Sequence, residues 1–347
     1  MKLNHIFSAT LLALMATGAA AQDACSNRGQ LDTIYCDANN DMVADTPTDP
    51  AKQRDPSTLV FAWSPTENPA VYKSIYEPIM NHLQTCTGKK IAFFNVQSNS
   101  AQIEAQRAGR MHVALYATGA IGFAVNMAGG VPFVGMGNAK GVGGYQVYAI
   151  VKSNSPFQKL SDLKGKKVAH VSPTSNSGNL APRVFFTEQG LTPDTDYKPL
   201  MSGGHDKSII GVSLGDYEAA AVASDIFDRM TQRGQVKLED FRIIWKSQIF
   251  PTTGFVMSHD LKPELQKKIT DCMVSYKFSD EIKKEYDGMD RFVPITYKET
   301  WKPIREVAER SGTPYNRAAF EAQQKRDAEA AAKRAAAATA SPASAPK

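Results

Sequence analysis

From residue 58 onward, apolar runs of strand length alternate with stretches whose apolar positions recur at helical spacing. Strands are predicted over residues 59–63, 90–96, 112–116, 145–151, 168–171, 197–201, 218–223 and 241–245. Helices are predicted over 101–108, 180–189, 205–214 and 226–233, with a longer one from residue 64 to about 86. That long helix is expected to open at Ser64-Pro65-Thr66-Glu67, which offers a cap, a first-turn proline and an early acid, and to end at Thr87-Gly88. Residues 262–311 read as mostly helical. Strands interleaved with helices in this way imply an α/β fold, with parallel sheets covered by helices on both faces.

The ends of the chain break the pattern. Residues 1–21 have a basic start at Lys2, an apolar run over 6–15 and a close in Ala19-Ala20-Ala21, the layout of a cleaved export signal. Residues 22–56 form an acidic leader with seven Asp and three Pro. Within it, Asp37-x-Asn39-x-Asp41-x-x-x-Asp45 resembles an oxygen-ligand calcium loop. Met42 stands where a turning glycine belongs, and a solvated acidic linker stapled by a disulfide is the stronger reading. The tail, 317–347, is rich in Ala with Lys/Arg pairs and then Ser/Pro/Ala; it is expected to fray from helix into disorder.

Composition narrows the class. Of 347 residues, 42% are hydrophobic and 22% charged, as in soluble globular proteins. The only long apolar stretch is the N-terminal one, which is too short to span a bilayer. The formal charge of +5 is too small to argue for nucleic acid. Four cysteines, Cys25, Cys36, Cys86 and Cys272, in an exported chain point to disulfides. Cys25 with Cys36 would close a short loop and Cys86 with Cys272 a long one, and the sequence leaves other pairings open. No P-loop, H-E-x-x-H, G-x-S-x-G or G-x-G-x-x-G occurs in a suitable context, so neither a cofactor nor catalysis is indicated.

The chemistry collects at loops between a strand and a helix. Ser172-Pro173-Thr174-Ser175-Asn176-Ser177-Gly178 follows one predicted strand and opens a helix. Unbonded N–H groups, a positive helix end and short hydroxyl donors suit an anion there. Ser202-Gly203-Gly204-His205 has the same setting, with glycines that allow close approach and His205 at the helix start. Asp225 follows a third strand, where it would cap the next helix or accept from a protonated ligand oxygen or an amine. Tyr145 would add a hydroxyl from the other side, and Tyr116, at a strand end, is a further candidate for the same cleft, with core packing as its competing role.

The run Ser175-Asn176-Ser177-Gly178-x-x-x-Pro182, then Ser202-Gly-Gly-His205 and 219–225, resembles the periplasmic phosphonate-binding proteins, the substrate-binding subunits of phosphonate/phosphite ABC importers. Ser64-Pro65-Thr66-Glu67 and Trp245-Lys246-Ser247 fit the same family. The resemblance implies a two-lobed periplasmic-binding-protein fold of type II-like topology, with two mixed sheets flanked by helices and joined by hinge crossovers. It places lobe 1 at 57–151 plus 253–316 and lobe 2 at 152–252. It implies that Ser175, Asn176, Ser177, His205 and Tyr145 hold phosphonate oxygens while Asp225 faces a ligand amine. The partners implied are a small oxyanion and an inner-membrane ABC permease, with a monomeric receptor in the periplasm and His205, if protonated, aiding the anion. Three departures matter: Asn176 replaces a hydroxyl, Ser98-Asn99-Ser100 stands where a Tyr is usual, and no second acid lies near Pro251-Thr252-Thr253. A smaller anion such as phosphite or methylphosphonate therefore stays open beside an amino-bearing one. A sensory receptor, an enzyme on the same fold and an iron-capturing relative are the alternatives, in falling order.

Overall fold

A computed structural model of the chain describes residues 25–340. The expected export signal at 1–21 and the Ser/Pro/Ala end of the tail lie outside the described residues. After the leader, β1 (Thr58–Trp63) is followed by α1 (Lys73–Thr87), β2 (Lys90–Phe93), α2 (Asn99–Arg107), β3 (Val113–Tyr116) and α3 (Ile121–Ala128). Next come β4 (Gly130–Asn138), the short β5 (Gly141–Val142), β6 (Gly144–Lys152), β7 (Val168–His170), α4 (Ala181–Glu188) and β8 (Pro199–Met201). The chain continues through α5 (His205–Leu214), β9 (Ala219–Ala223), α6 (Ser224–Gln232), β10 (Phe241–Pro251) and β11 (Gly254–Ser258). It closes with α7 (Pro263–Ser275), α8 (Asp280–Glu285), β12 (Arg291–Pro294), α9 (Tyr297–Thr300), α10 (Lys302–Arg310) and α11 (Arg317–Ala340).

The strands form two sheets, each the floor of one lobe. The first runs β12-β4-β11-β3-β1-β2, with β5 paired to β4, and the second runs β10-β6-β9-β7-β8. Both are mixed: β1 pairs in parallel with β2 and β3, and β7 with β8 and β9, while β4, β6, β10, β11 and β12 pair antiparallel. The two mixed sheets implied by the family resemblance are present, and the antiparallel part of the first is built by β4, β11 and β12, which were not legible as strands. β4 reads Gly-Val-Pro-Phe-Val-Gly-Met-Gly-Asn, and its glycines and proline disguise a strand buried along most of its length.

The chain passes between sheets twice, at Gly143 between β5 and β6 and at Thr252-Thr253 between β10 and β11. The first passage comes before the 145–151 strand, where 151/152 was expected. β6 belongs to the second sheet, wedged between β9 and β10 and buried on both faces. Glycine makes the passage possible, since a Cβ on Gly143 would strike the Met289 side chain and one on Gly144 would strike Ile249 and Phe250.

α1 buries Ile75, Tyr76, Ile79 and Leu83 along one stripe and stops at Gly88, which takes a left-handed φ of 72°. It starts later than Ser64-Pro65-Thr66-Glu67 implied. Asn68 accepts from the Ala70 N–H and caps a short turn, Pro69–Tyr72, so residues 64–67 are a loop whose backbone serves the cleft.

Two expectations for the ends are corrected. The leader is docked rather than solvated: Leu31, Tyr35 and Ala44 are buried, and the Asp32 N–H donates to the Asn126 carbonyl. Burial works against the Asp32 charge, but hydrogen bonds from Arg317 and Arg107 outweigh it and hold the carboxyl well below its usual range. The carboxylates of the calcium-like loop accept backbone N–H groups, Asp37 from Asp41 and Met42 and Asp45 from Ala38. Met42 adopts φ 71° in place of the missing glycine. Among the described residues, no three acidic, His or Cys side chains are grouped to hold a metal ion. The tail is the helix α11: Asn316 caps it by accepting from Ala319, while Phe320 packs on Phe123 at 5.5 Å and Gln323 is buried. No helix among the described residues is long and apolar enough to cross a membrane.

Both cysteine pairs are bonded, Cys25 to Cys36 within the leader and Cys86 on α1 to Cys272 on α7. Their sequence separations, 11 and 186 residues, set very different loop entropies. On that count the C86A/C272A variant loses about 5 kcal/mol of stability and C25A/C36A about 3 kcal/mol. Urea titration of the two variants against the wild type checks both the sizes and their order.

Candidate functional site

Between the two sheets lies a cavity of about 110 Å³. That is well under the ~300–1,000 Å³ of pockets that take drug-sized ligands. Its second-lobe wall is the segment after β7. Ser175 caps the next helix by accepting from the Gly178 N–H at 3.0 Å, and a π-turn, Asn176–Leu180, carries the chain into α4. The N–H groups of Asn176 and Ser177 sit at the first two positions of that turn, where a helix leaves its donors unbonded. The side chains of the turn reach across to two other lining residues. Asn176 Nδ2 donates to the Tyr145 hydroxyl at 2.8 Å, and Ser177 Oγ lies 3.3 Å from His205 Nε2.

His205 begins α5, reached through Gly203 at φ 86°. Its Nδ1 accepts from the Ala223 N–H at 3.2 Å, so the neutral ring carries its proton on Nε2, which faces the cavity. Burial drives the imidazole down to about 4, with Asp225 opposing and Arg229 reinforcing the shift. Near neutral pH, His205 is therefore a neutral donor. The condition attached to His205, that it aid the anion as a cation if protonated, is not met there, because desolvation favours the neutral ring. Burial also raises the Tyr145 phenol, which stays protonated.

The first lobe meets this wall at very short range. Asn99 donates to Thr174 Oγ1 at 2.8 Å, and the Thr66 carbonyl accepts from the His205 N–H at 3.0 Å. Gly119 lies so close to the Thr174 carbonyl and Asn176 N–H that a Cβ there would collide with both. The cleft is thus shut, and Gly119 is the point that permits it. Farther along the seam, Arg229 of α6 and Arg233, the residue just past its end, cross to the first lobe. Arg233 pairs with Glu67 at 2.9 Å and with Glu285, and Arg229 approaches Glu67 at 3.7 Å and Glu285 at 3.5 Å. Arg229 also stacks over the Tyr286 ring at 5.1 Å.

Ser175, Asn176, Ser177, His205, Tyr145 and Asp225 all line the cavity. Asp225 accepts from its neighbour's N–H at Ile226, from Arg229 at 3.3 Å and from Thr252 Oγ1 at 3.4 Å. Tyr116 does not join them. Its hydroxyl donates to Gln106 Oε1 at 2.6 Å within the core beneath α2, because the last residue of β3 points away from the cleft. Trp245 is likewise in packing, edge-on to Phe186 at 5.3 Å. Sequence reading missed Arg229, Asn99, Thr118 and Asp327, which also line the cavity. Arg229 carried a signal in its place four residues after Asp225 on a predicted helix, and Asn99 one in the Ser98-Asn99-Ser100 departure from the family pattern.

The histidines make stability fall in acid. His170, like His205, is buried and pushed down to about 4 from 6.5, chiefly by desolvation. Its Nδ1 donates to Asn179 Oδ1 and its Nε2 accepts from the Tyr197 hydroxyl. Between pH 6.5 and 4 the unfolded chain takes up a proton that the native ring refuses, so each ring withdraws up to about 3 kcal/mol as pH falls. The unfolding free energy of H170Q should therefore drop less steeply than that of the wild type between pH 6.5 and 4.5, measured by urea titration at each pH.

A family profile described as an ABC transporter, phosphonate, periplasmic substrate-binding protein matches residues 61–301. The chain is 27% identical over 239 residues to a phosphate-import protein of Mycolicibacterium smegmatis, covering 65% of this chain and 74% of that one. It is 25% identical over 222 residues to the phosphonates-binding periplasmic protein of Escherichia coli, covering 63% and 66%. In fold it resembles a binding-protein component of an ABC phosphonate transporter from Pseudomonas aeruginosa, with a TM-score of 0.67, 23% identity, and 81% and 99% of the two chains covered. It also resembles a Prochlorococcus marinus protein solved with methylphosphonate, with a TM-score of 0.66, 17% identity, and 74% and 99% covered. Two mixed sheets closing on a small, donor-lined cavity agree with that match over most of the chain, and the protein belongs to the family of periplasmic substrate-binding proteins of phosphonate ABC transporters.

Proposed function

We propose that this protein is a periplasmic receptor that captures a small phosphorus oxyanion, such as a phosphonate, phosphite or phosphate, and delivers it to the permease of an ABC importer. The observation that carries this reading is the set of neutral donors lining one small cavity: the Asn176 and Ser177 turn, His205 Nε2 and the Tyr145 hydroxyl. Donors aimed at a desolvated centre hold an anion without a matching cation, because a helix end and oriented N–H groups supply the positive potential. Phosphate and phosphonates, after which two of the relatives are named, share this tetrahedral chemistry. Asp225 adds an acceptor, which favours a ligand with a proton on oxygen or nitrogen.

In this reading the receptor is a monomer, and closure rather than turnover is its output. Lobe 1 comprises 57 to about 143 plus 253–316, and lobe 2 runs from about 144 to 252. Contacts made by the ligand to both lobes shift the population toward the shut cleft seen around Gly119, and the shut form is what a permease recognises. No nucleophile with a positioned base stands in the cavity: Ser177 faces His205 Nε2, the nitrogen that carries the proton.

Calorimetry against phosphate, phosphite, methylphosphonate and 2-aminoethylphosphonate tests the function. At least one should bind at micromolar Kd or tighter, and H205A should weaken that ligand tenfold or more. Binding of none, or full affinity in H205A, would sink the reading. Closure has its own test. G119A should keep the wild-type circular dichroism yet weaken the best ligand at least tenfold, since the added Cβ props the lobes apart.

A further inference from the structure

The family match ends at residue 301, and α11 lies beyond that limit. Phe320, Gln323, Gln324 and Asp327 share one face of this helix and are buried or partly buried, while 321, 322, 325 and 326 are exposed. That face is fixed to the first lobe on both sides of Gln323. Before it, Arg317 pairs with Asp32 of the docked leader and Phe320 packs on Phe123. After it, Gln324 donates to Glu104 at 2.8 Å and Asp327 accepts from Ser100 Oγ at 2.6 Å. Gln323 itself turns to the other lobe. Its Nε2 donates to the Pro173 carbonyl at 3.2 Å, and its Oε1 accepts from Arg326 Nε at 3.3 Å, which fixes the orientation of the amide. Pro173 is held within the second lobe by Asn179 Nδ2, which donates to the same carbonyl at 2.8 Å. Just upstream, Arg310 of α10 also reaches the second lobe, pairing with Glu188 and lying over the Phe185 ring at 5.5 Å.

We propose that α11 is a strap across the seam: it rides with the first lobe, grips the second through Gln323, and resists opening of the cleft. Opening parts Gln323 from Pro173, because each is tied to its own lobe. Three of the four residues on the seam face are polar, which suits a joint that has to open. A freed amide returns to water, whereas an apolar strap would hold the lobes together. The grip falls on the segment that leads into the 175–178 turn, so α11 keeps that turn opposed to the first lobe. A strap of this kind acts on opening alone. It slows the release of any ligand by one common factor and does not rank ligands, so the proposal is independent of what the pocket takes.

Two amides cross the seam and report its opening with no ligand added. The His205 N–H donates to the Thr66 carbonyl at 3.0 Å, and the Asn68 N–H donates to Asp206 Oδ2 at 3.2 Å. The test is amide hydrogen exchange, followed by NMR on the full chain, in the wild type, Q323M and Q323E. Q323M keeps a side chain of similar length in the stripe but has no donor, and Q323E sets an acceptor against the Pro173 carbonyl. Exchange at His205 and Asn68 should quicken about fivefold in Q323M, the factor that one lost buried hydrogen bond represents, and at least as much in Q323E. The amides of β3, inside the first lobe, should keep wild-type protection. The ratio of seam to β3 exchange is the readout, because a residue that merely stabilised the fold would quicken both together. Seam amides that exchange at the wild-type rate, or seam and β3 amides that quicken by the same factor, overturn the strap.

Discussion

Arg229 on α6 and Arg233, which caps its end, lie four residues apart and end among Glu67, Glu285 and Tyr286 of the opposite lobe. Arg229 is almost fully buried there. Desolvation works against its charge, but Asp225, Tyr72, Tyr286 and Glu67 outweigh that and hold the guanidinium protonated. A buried ion pair gains little net stability over an apolar one, whereas removing one partner costs about 3–5 kcal/mol. The arrangement therefore ties the shut cleft to the integrity of the whole set. Opening the lobes breaks the pairs but returns the charges to water, which keeps the two states close enough in energy for a small solute to decide between them.

The same network frees the anion site from needing a cation of its own. Arg229 lines the cavity yet its charge is matched by carboxylates, and the groups nearest the turn at Asn176 and Ser177 are neutral donors. His205 is neutral because it is dry, and it is dry because Thr66 and Gly119 bring the first lobe down onto the turn. Closure and donor chemistry are one property. Each donor gains strength from the loss of water that closure brings about.

Much of this was legible in the chain. The strand, hydroxyl loop and helix at 168–189, and the Gly-Gly-His start of α5, stand where the pattern placed them, because their apolar periodicity and turn residues agree. What escaped was written in residues whose partners are remote. β11 and β12 are short and gain most of their pairing from the remote strands β3 and β4. The tail shows one buried aromatic, Phe320, among alanines, and nothing local reveals that Phe123 and Pro173 await it. Tyr116 was misplaced for the opposite reason: a strand-end tyrosine fits a cleft or a core, and the choice belongs to Gln106.

The route of the chain through the first sheet has a consequence for how the molecule comes into being. β11, made after the second passage between lobes, lies between β3 and β4, which were both made before the first. A growing chain thus holds every strand of the second sheet, all within 144–251, before it holds the middle of the first. Until residue 258 is available, β3 and β4 each present an edge with unmet N–H and carbonyl groups, and Cys86 has no Cys272 to bond. The lobe that begins first is finished last, and α11 follows after both.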